Sequence, residues 1–287
     1  MLIAVDWGTS RLRAYLLDAD GTVRERRGSD AGIAMLGGSG FDVALAPLLD
    51  GWPRDAPLLM CGMIGSRQGI VEVPYLPCPA DPAGLARALA PVAIAGRDGR
   101  IVPGLSCDPP DVMRGEETLI LGSGVRDGLV CLPGSHSKWV RVAGGVVQGF
   151  RTYLTGELFA AVAGHTIVGR LLEPVDPPDW RDWFGRGVMA ARGPGAALTH
   201  QLFGLRAAGL LGRMPPPALR PHLSGLLVGH EIAAEAPAAQ VTLIGEGPLL
   251  DRYESALDSL AVPHRAAGPD AGPAGLFMIA RNAGMLG

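Results

Sequence analysis

Two stretches of the chain repeat one pattern of apolar and polar positions. Near the start, Leu2-Ile3-Ala4-Val5 runs apolar into Asp6-Trp7-Gly8-Thr9-Ser10, and Leu12-Arg13-Ala14-Tyr15-Leu16-Leu17 follows before the turn Asp18-Ala19-Asp20-Gly21. Near the middle, Leu129-Val130-Cys131-Leu132 leads into Pro133-Gly134-Ser135-His136-Ser137, then Lys138-Trp139-Val140-Arg141-Val142, Gly144-Gly145 and Val146-Val147. Both read as strand, small-residue turn, strand. Their recurrence points to an internal duplication.

The rest of the pattern interleaves strands and helices, which predicts an α/β fold. A strand is expected over 23–26, a helix over 41–49 and a buried strand over 58–61. In the Pro- and Gly-rich stretch 73–110, residues 85–89 read as helix and 100–102 as extended. Pro109-Pro110 reads as a boundary, giving an N-terminal lobe of 1–110 and a C-terminal lobe of 111–287. Beyond it the pattern predicts a short helix after Asp111, a helix over 156–168, Ala- and Leu-rich helices between about 184 and 234, a strand over 240–244 and a last helix over 274–281.

Glycine, threonine and serine in a turn let backbone N–H groups approach an anion and add hydroxyl donors, so each hairpin turn suits a phosphate. An ordinary turn explains one copy as well; two copies favour binding. Asp6 stands two residues before Gly8, whereas Leu132 holds the matching place before Gly134. One carboxylate is what Mg²⁺ needs when it keeps most of its waters, so Asp6 is the candidate metal ligand. In the second turn, His136 reads either as a phosphate donor or as a group that satisfies the loop, and Lys138 either as a phosphate charge or as a solvated strand lysine. Late in the chain, Val241-Thr242-Leu243-Ile244-Gly245-Glu246-Gly247-Pro248 is a strand, glycine turn and helix start. On spacing alone it is equally a plain βα turn.

Seven blocks carry a resemblance to a known family. They are Asp6-Trp7-Gly8-Thr9-Ser10, Cys61-Gly62-Met63-Ile64-Gly65-Ser66-Arg67-Gln68-Gly69, Met113-Arg114-Gly115-Glu116-Glu117, Leu132-Pro133-Gly134-Ser135-His136-Ser137-Lys138-Trp139, Thr152-Tyr153-Leu154-Thr155-Gly156-Glu157-Leu158-Phe159, Leu223-Ser224-Gly225-Leu226-Leu227-Val228-Gly229-His230-Glu231 and Gly245-Glu246-Gly247. Through them the chain resembles the sugar-kinase/actin/heat-shock-ATPase superfamily and, more narrowly, the 2-dehydro-3-deoxygalactonokinase family. The resemblance implies an α/β fold of two ribonuclease-H-like lobes with an active-site cleft between them. It also implies ATP and Mg²⁺ as cofactors and phosphorylation of 2-dehydro-3-deoxy-D-galactonate at the 6-hydroxyl. Gly8, Thr9 and Ser10 then form a phosphate-1 loop. Gly134, Ser135, His136, Ser137 and Lys138 form a phosphate-2 loop, and Gly245 with Gly247 forms the adenosine motif. A kinase for another sugar of the superfamily, or an actin-like ATPase without a sugar substrate, is the alternative.

Transfer to a hydroxyl needs a carboxylate that orients the alcohol and takes its proton. Asp111, Glu116 and Glu117 precede the second hairpin. Relatives in the superfamily carry a catalytic Asp at a helix start in this neighbourhood, where this chain has Gly115-Glu116-Glu117. Glu116 is preferred, because Gly115 lets the backbone turn the first carboxylate toward the cleft; acids in a first turn also serve the helix dipole. The carboxylate of a sugar acid suits a planar guanidinium. Arg67, in a glycine-flanked polar loop with Ser66 and Gln68, is one candidate, and Arg151, with Thr155 and Glu157, is the other.

Composition narrows the partners. In 287 residues, 48% apolar positions and 42 glycines fit a turn-rich α/β enzyme of one or two domains. A formal net charge of −3 with no basic stripe argues against nucleic acid, leaving small molecules: a nucleotide and a sugar acid. Cys61, Cys78, Cys107 and Cys131 form no CxxC pair and read as reduced thiols. The short apolar start before Asp6 is no signal peptide and no apolar run reaches bilayer length, so no membrane partner and a cytoplasmic location are expected. A homo-oligomer stays open.

Overall fold

The computed structural model describes residues 1–193 and 197–286. Its chain divides into two compact units, one of Met1–Asp127, Val140–Phe150 and Ala267–Gly287, the other of Gly128–Trp139 and Arg151–Ala266. Pro109-Pro110 lies inside the first unit, and the C-terminal segment belongs to that unit as well.

The chain opens with β1 (Leu2–Trp7), β2 (Leu12–Leu17) and β3 (Val23–Ser29), then α1 (Ile33–Leu36), α2 (Phe41–Leu49) and β4 (Leu58–Gly62). Next come β5 (Leu76–Pro77), α3 (Pro82–Arg87), β6 (Ala90–Ile94), β7 (Arg97–Ile101), β8 (Leu105–Cys107), β9 (Asp111–Met113) and α4 (Glu116–Gly122). The second half carries β10 (Gly128–Leu132), β11 (Ser137–Ala143), β12 (Val146–Tyr153), α5 (Thr155–His165), α6 (Trp180–Ala190) and α7 (Leu198–Leu210). It ends with α8 (Pro216–Glu235), β13 (Val241–Leu243), α9 (Pro248–Ser259), β14 (His264–Ala266) and α10 (Ala271–Asn282).

The duplication is visible in strand order. One sheet runs β3-β2-β1-β4-β7-β6 and another β12-β11-β10-β13-β14, so in each a run of three consecutive strands is extended by later strands added beside the first. β1 pairs antiparallel with β2 and parallel with β4, and β10 pairs parallel with β13. Strands with neighbours on both sides and cover on both faces read as continuous apolar runs, which is why 2–5 and 129–132 stand out in the sequence.

The core of the first unit collects Ile3, Val5, Trp7, Leu12, Phe41, Leu45, Met60 and Ile101. Trp7 meets Phe41 edge-on at 5.7 Å between ring centroids and donates from Nε1 to Ala31 O at 2.9 Å. α10 crosses α4 so closely that a β-carbon on Gly275 would lie 1.9 Å from Thr118 O. Only glycine permits that crossing, and it anchors the C-terminal helix on the helix that carries Glu116 and Glu117.

The second unit packs Phe184 and Val188 of α6 against Val228 and Ile232 of α8 and against Tyr253 and Ala256 of α9. Among the described residues no helix is long and apolar enough to cross a membrane.

Candidate functional site

In the first unit, β-sheet register places Asp6 of β1 opposite Arg13 of β2 and Cys61 of β4. Arg13 Nη1 donates to Asp6 Oδ2 at 3.3 Å, and Cys61 Sγ lies 4.0 Å from Oδ1. Burial raises the Asp6 carboxyl above its ordinary range against the pull of Arg13, and the charge of Glu116 adds to the rise. Burial, then Asp6, Glu117 and Glu116, push the Cys61 thiol up as well, so these groups form one electrostatic cluster. The adjoining turn closes with Gly8 N–H on Arg11 O at 2.9 Å. Its carbonyls accept from the start of α1, Ile33 N–H to Gly8 O and Ala34 N–H to Thr9 O, both at 3.1 Å. The side chains of Thr9 and Ser10 stay exposed.

α4 starts after Gly115, and both of its first-turn acids bend back onto the preceding backbone. Arg114 N–H donates to Glu116 Oε2 at 3.0 Å and Gly115 N–H to Glu117 Oε2 at 2.7 Å, which satisfies donors that a helix start leaves open. Glu117 is fully buried, and its Oε1 has no hydrogen-bond partner among the described residues. Burial first, then Glu116, pushes its carboxyl up to about 8. Near neutral pH Glu117 therefore holds its proton, whereas Glu116 is only half-buried. Asp111 lies on β9, where its Oδ1 accepts the N–H of Val112 at 2.7 Å.

The loop after β4 is organised by Ser66, whose hydroxyl donates to Met63 O at 2.7 Å and accepts from Gln68 N–H at 3.3 Å. Arg67 projects outward, its side chain 86% exposed, with Nε 3.4 Å from Glu72 Oε1. Gln68 is exposed beside it. Arg114, to which no role was assigned from the Met113–Glu117 block, packs into this loop. Its guanidinium lies 4.3 Å from the Tyr75 ring centroid and Nη2 donates to Val73 O at 2.7 Å.

In the second unit the Gly134-Ser135 turn rests against the start of α5. Glu157 N–H donates to Ser135 O at 3.0 Å, and a β-carbon on Gly156 would fall 2.6 Å from Gly134 O. His136 pairs through Nε2 with the Glu157 carboxylate, both side chains being exposed. Lys138 is 4% exposed, and its ammonium donates to His136 O at 3.1 Å. The solvated alternative for this lysine is therefore excluded. The adenosine-motif turn adjoins the same place: Ile244 N–H donates to Cys131 O at 2.9 Å, and a β-carbon on Gly245 would lie 3.8 Å from Pro133. Gly247, at φ +71°, opens α9.

A cavity of about 310 Å³ lies here, lined in part by Gly134, Ser135 and Gly156. Phe159, Val228 and Leu249 supply its apolar wall, and Arg220 and Arg252 also line it. The hydroxyls of Ser137 and Thr155 do not enter it freely; both bond the carboxylate of Glu231 on α8. Arg151 is spoken for as well, its Nη1 3.3 Å from Glu235 Oε1.

The model of the 2-keto-3-deoxy-galactonokinase family matches residues 6–279. The chain belongs to the 2-keto-3-deoxy-galactonokinase family. It is 39% identical to a probable 2-dehydro-3-deoxygalactonokinase of Rhizobium meliloti, covering 97% of this chain and 96% of that one. It is 35% identical to the 2-dehydro-3-deoxygalactonokinase of Escherichia coli, with 97% of each chain covered. A crystal structure of a putative 2-dehydro-3-deoxygalactonokinase from Sinorhizobium meliloti, 38% identical, aligns over 98% of both chains at a TM-score of 0.90. Solved structures only 10% and 14% identical still align over nearly the whole chain, at TM-scores of 0.54 and 0.50, and share the sugar-kinase/actin fold. The protein is thus an ATP-dependent phosphotransferase.

For this family member, many of the residues expected from sequence fall into three groupings, while Asp111, Ser137, Lys138 and Arg151 are engaged elsewhere. Asp6, Glu116 and Glu117 come together in the first unit, while Ser66, Arg67 and Gln68 form one loop. Gly134, Ser135, His136, Thr155, Glu157, Gly245 and Gly247 surround one end of the second unit's cavity or adjoin it. Glu231, Arg114, Arg220 and Arg252 were missed. A charged residue inside an apolar helix, as Glu231 is in the stretch 223–232, was the available signal.

The residues present fit the implied cofactors. Magnesium asks for few protein oxygens, and Asp6 offers a carboxylate that keeps 26% of its side-chain exposure. A phosphate asks for approachable backbone, and the glycine at 156 lets the Gly134-Ser135 turn pack directly on the start of α5.

Proposed function

We propose that the protein transfers the terminal phosphoryl group of ATP to the 6-hydroxyl of 2-dehydro-3-deoxy-D-galactonate, in the cytoplasm. The observation that carries the reading is the Gly134-Ser135 turn held against the start of α5, in a chain of this family. The dipole of α5 favours phosphate oxygens near its N-terminus, where Ser135 O already takes the Glu157 N–H. The apolar wall of Phe159, Val228 and Leu249 suits the flat base; Arg220 and Arg252 beside it stack on Phe159 and on Trp180 and pair with Asp176. Gly245 and Gly247 bring the backbone close to the ribose.

Asp6 holds the hydrated Mg²⁺, and the Gly8-Thr9-Ser10 turn supplies donors to phosphate. When bound, the ion offsets charge on the β- and γ-phosphate oxygens. Glu116 orients the acceptor hydroxyl and takes its proton. Its partial exposure supports that role, and so does the high carboxyl range of Glu117, which leaves the latter a poor base at neutral pH. Arg67 reads the sugar carboxylate, with Gln68 beside it; both are exposed at the tip of a loop that Ser66 holds in shape. Arg151, engaged by Glu235, is the second candidate for that role.

Steady-state turnover of the purified protein with Mg-ATP across a panel of sugar acids tests the reading. Strong stimulation by 2-dehydro-3-deoxy-D-galactonate alone supports it. Equal stimulation by gluconate-type acids moves the substrate, and ATP hydrolysis that no acid stimulates removes the kinase reading in favour of an actin-like ATPase.

A further inference from the structure

One heavily engaged side chain of the second unit is one that the proposed chemistry does not use. Glu231 on α8 is 2% exposed, yet its carboxylate gathers four side-chain donors from three other elements. Trp139 Nε1 on β11 donates to Oε1 at 2.7 Å. Ser137 Oγ on β11 donates to Oε2 at 3.1 Å, Tyr253 OH on α9 does so at 2.8 Å, and the Thr155 hydroxyl at the head of α5 bonds the same oxygen. The Ser137 and Tyr253 oxygens also lie 2.7 Å apart, and with one proton each the two hydroxyls share the bonds to Glu231 and to one another.

The positions of these donors give the arrangement its meaning. Ser137 ends the turn that begins at Gly134. Thr155 precedes Gly156, the residue packed on that turn, and Tyr253 and Thr155 both line the cavity. One buried acceptor thus ties the turn, the helix start and a cavity wall to a fixed point. Packing alone does not call for it, since a buried carboxylate is costly and an apolar side chain of that size fills space more cheaply. A buried acid that several donors share instead fixes geometry, because it holds their atoms at set distances around one carboxylate.

We propose that Glu231 is the positioning residue of the phosphate-binding end of this cavity, setting the spacing between the Gly134-Ser135 turn and the α5 start to suit the β- and γ-phosphates of ATP. It touches neither nucleotide nor sugar. This rests on the phosphate reading given above. Val228 and Leu249, on the apolar wall of the cavity, take no hydrogen bond from the network.

The experiment is calorimetric binding of AMP, ADP and a non-hydrolysable ATP analogue to the parent, Glu231→Gln, Ser137→Ala and the double variant, with KM for the sugar acid measured alongside. The amide keeps an acceptor for Trp139 but no longer directs three hydroxyls to one oxygen. Glu231→Gln is expected to weaken the ATP analogue about tenfold, in line with losing a bond to a charged acceptor. AMP affinity and the sugar KM stay within about twofold of the parent, less than half a kcal/mol. Ser137→Ala is expected to reproduce the loss, and the double variant to be no worse than either single one, because both cut the same link. Equal losses for AMP and the ATP analogue would mean general loosening and overturn the proposal, as would additive losses in the double variant. Should Glu231→Gln unfold, Ser137→Ala alone decides, by whether its loss grows with phosphate number. A parent that gains nothing from AMP to the ATP analogue overturns the phosphate reading itself, and this proposal with it.

Discussion

The α-carbon of Gly156 stands so close to Gly134 that any side chain there would begin 2.6 Å from the Gly134 carbonyl oxygen. The contact presses the first turn of α5 onto the hairpin turn between β10 and β11. Gly156→Ala is expected to push the two apart and raise the KM for ATP at least about tenfold while the sugar KM holds, since the loss lies in nucleotide binding. Unchanged ATP kinetics in a folded alanine variant would show that this contact does not shape the nucleotide site.

Asp6 is raised above the ordinary carboxylate range because burial outweighs its pairing with Arg13. A neutral amide in its place therefore should not destabilise the fold. Asp6→Asn is expected to keep the parent melting temperature and to lose at least about a hundredfold in kcat, through the metal. Near-normal Mg-dependent turnover in this variant would end the assignment of Asp6 as metal ligand.

The acids at the head of α4 separate by pH and by activity. The Glu117 carboxyl is pushed up to about 8 from an ordinary 4.5, so its contribution to stability is full below 4.5 and is lost as pH rises through 8. The parent should lose stability between pH 5 and 8.5, and Glu117→Gln should lose less over that interval, by a few kcal/mol in denaturant unfolding. Equal pH slopes would mean that Glu117 is ionised in the folded protein. Glu116→Gln should instead lower kcat strongly with both KM values nearly unchanged. If Glu116→Gln works like the parent while Glu117→Gln or Asp111→Asn is inactive, the base is that other residue.

Arg67→Lys keeps the charge but removes the planar fork. The expected result is a rise of about tenfold in the sugar-acid KM with the ATP KM unmoved. If neither constant changes, the same substitution at Arg151 is the next to measure.

Much of the fold was legible because its central strands are apolar on both faces and its turns are punctuated by glycine. The runs 2–5, 58–61 and 129–132 lie in β1, β4 and β10, and the helix expected over 41–49 is α2. β14 escaped because His264-Arg265-Ala266 is a short strand with little burial and therefore no apolar signature. The helix expected after Asp111 starts only at Glu116, because Asp111–Met113 pairs with β8 instead. At the site, glycine turns announced the phosphate cradles. Glu231 and Arg114 were hidden for the opposite reason: their importance lies in partners far along the chain, Trp139 and Tyr253 for one, Val73 and Tyr75 for the other. Local pattern flags Glu231 as a charge in an apolar stretch but does not name its partners. Ser137 and Thr155 look like ligand donors in sequence, whereas burial turns their hydroxyls onto Glu231.

Phosphoryl transfer to a defined hydroxyl leaves a product whose structure can be read directly. With Mg-ATP and 2-dehydro-3-deoxy-D-galactonate, phosphorus and carbon NMR of the completed reaction should show ADP and one phosphomonoester in equal amounts, with the ester phosphorus coupled to C6. Inorganic phosphate in place of the ester, or an ester on another hydroxyl, would contradict the proposed reaction.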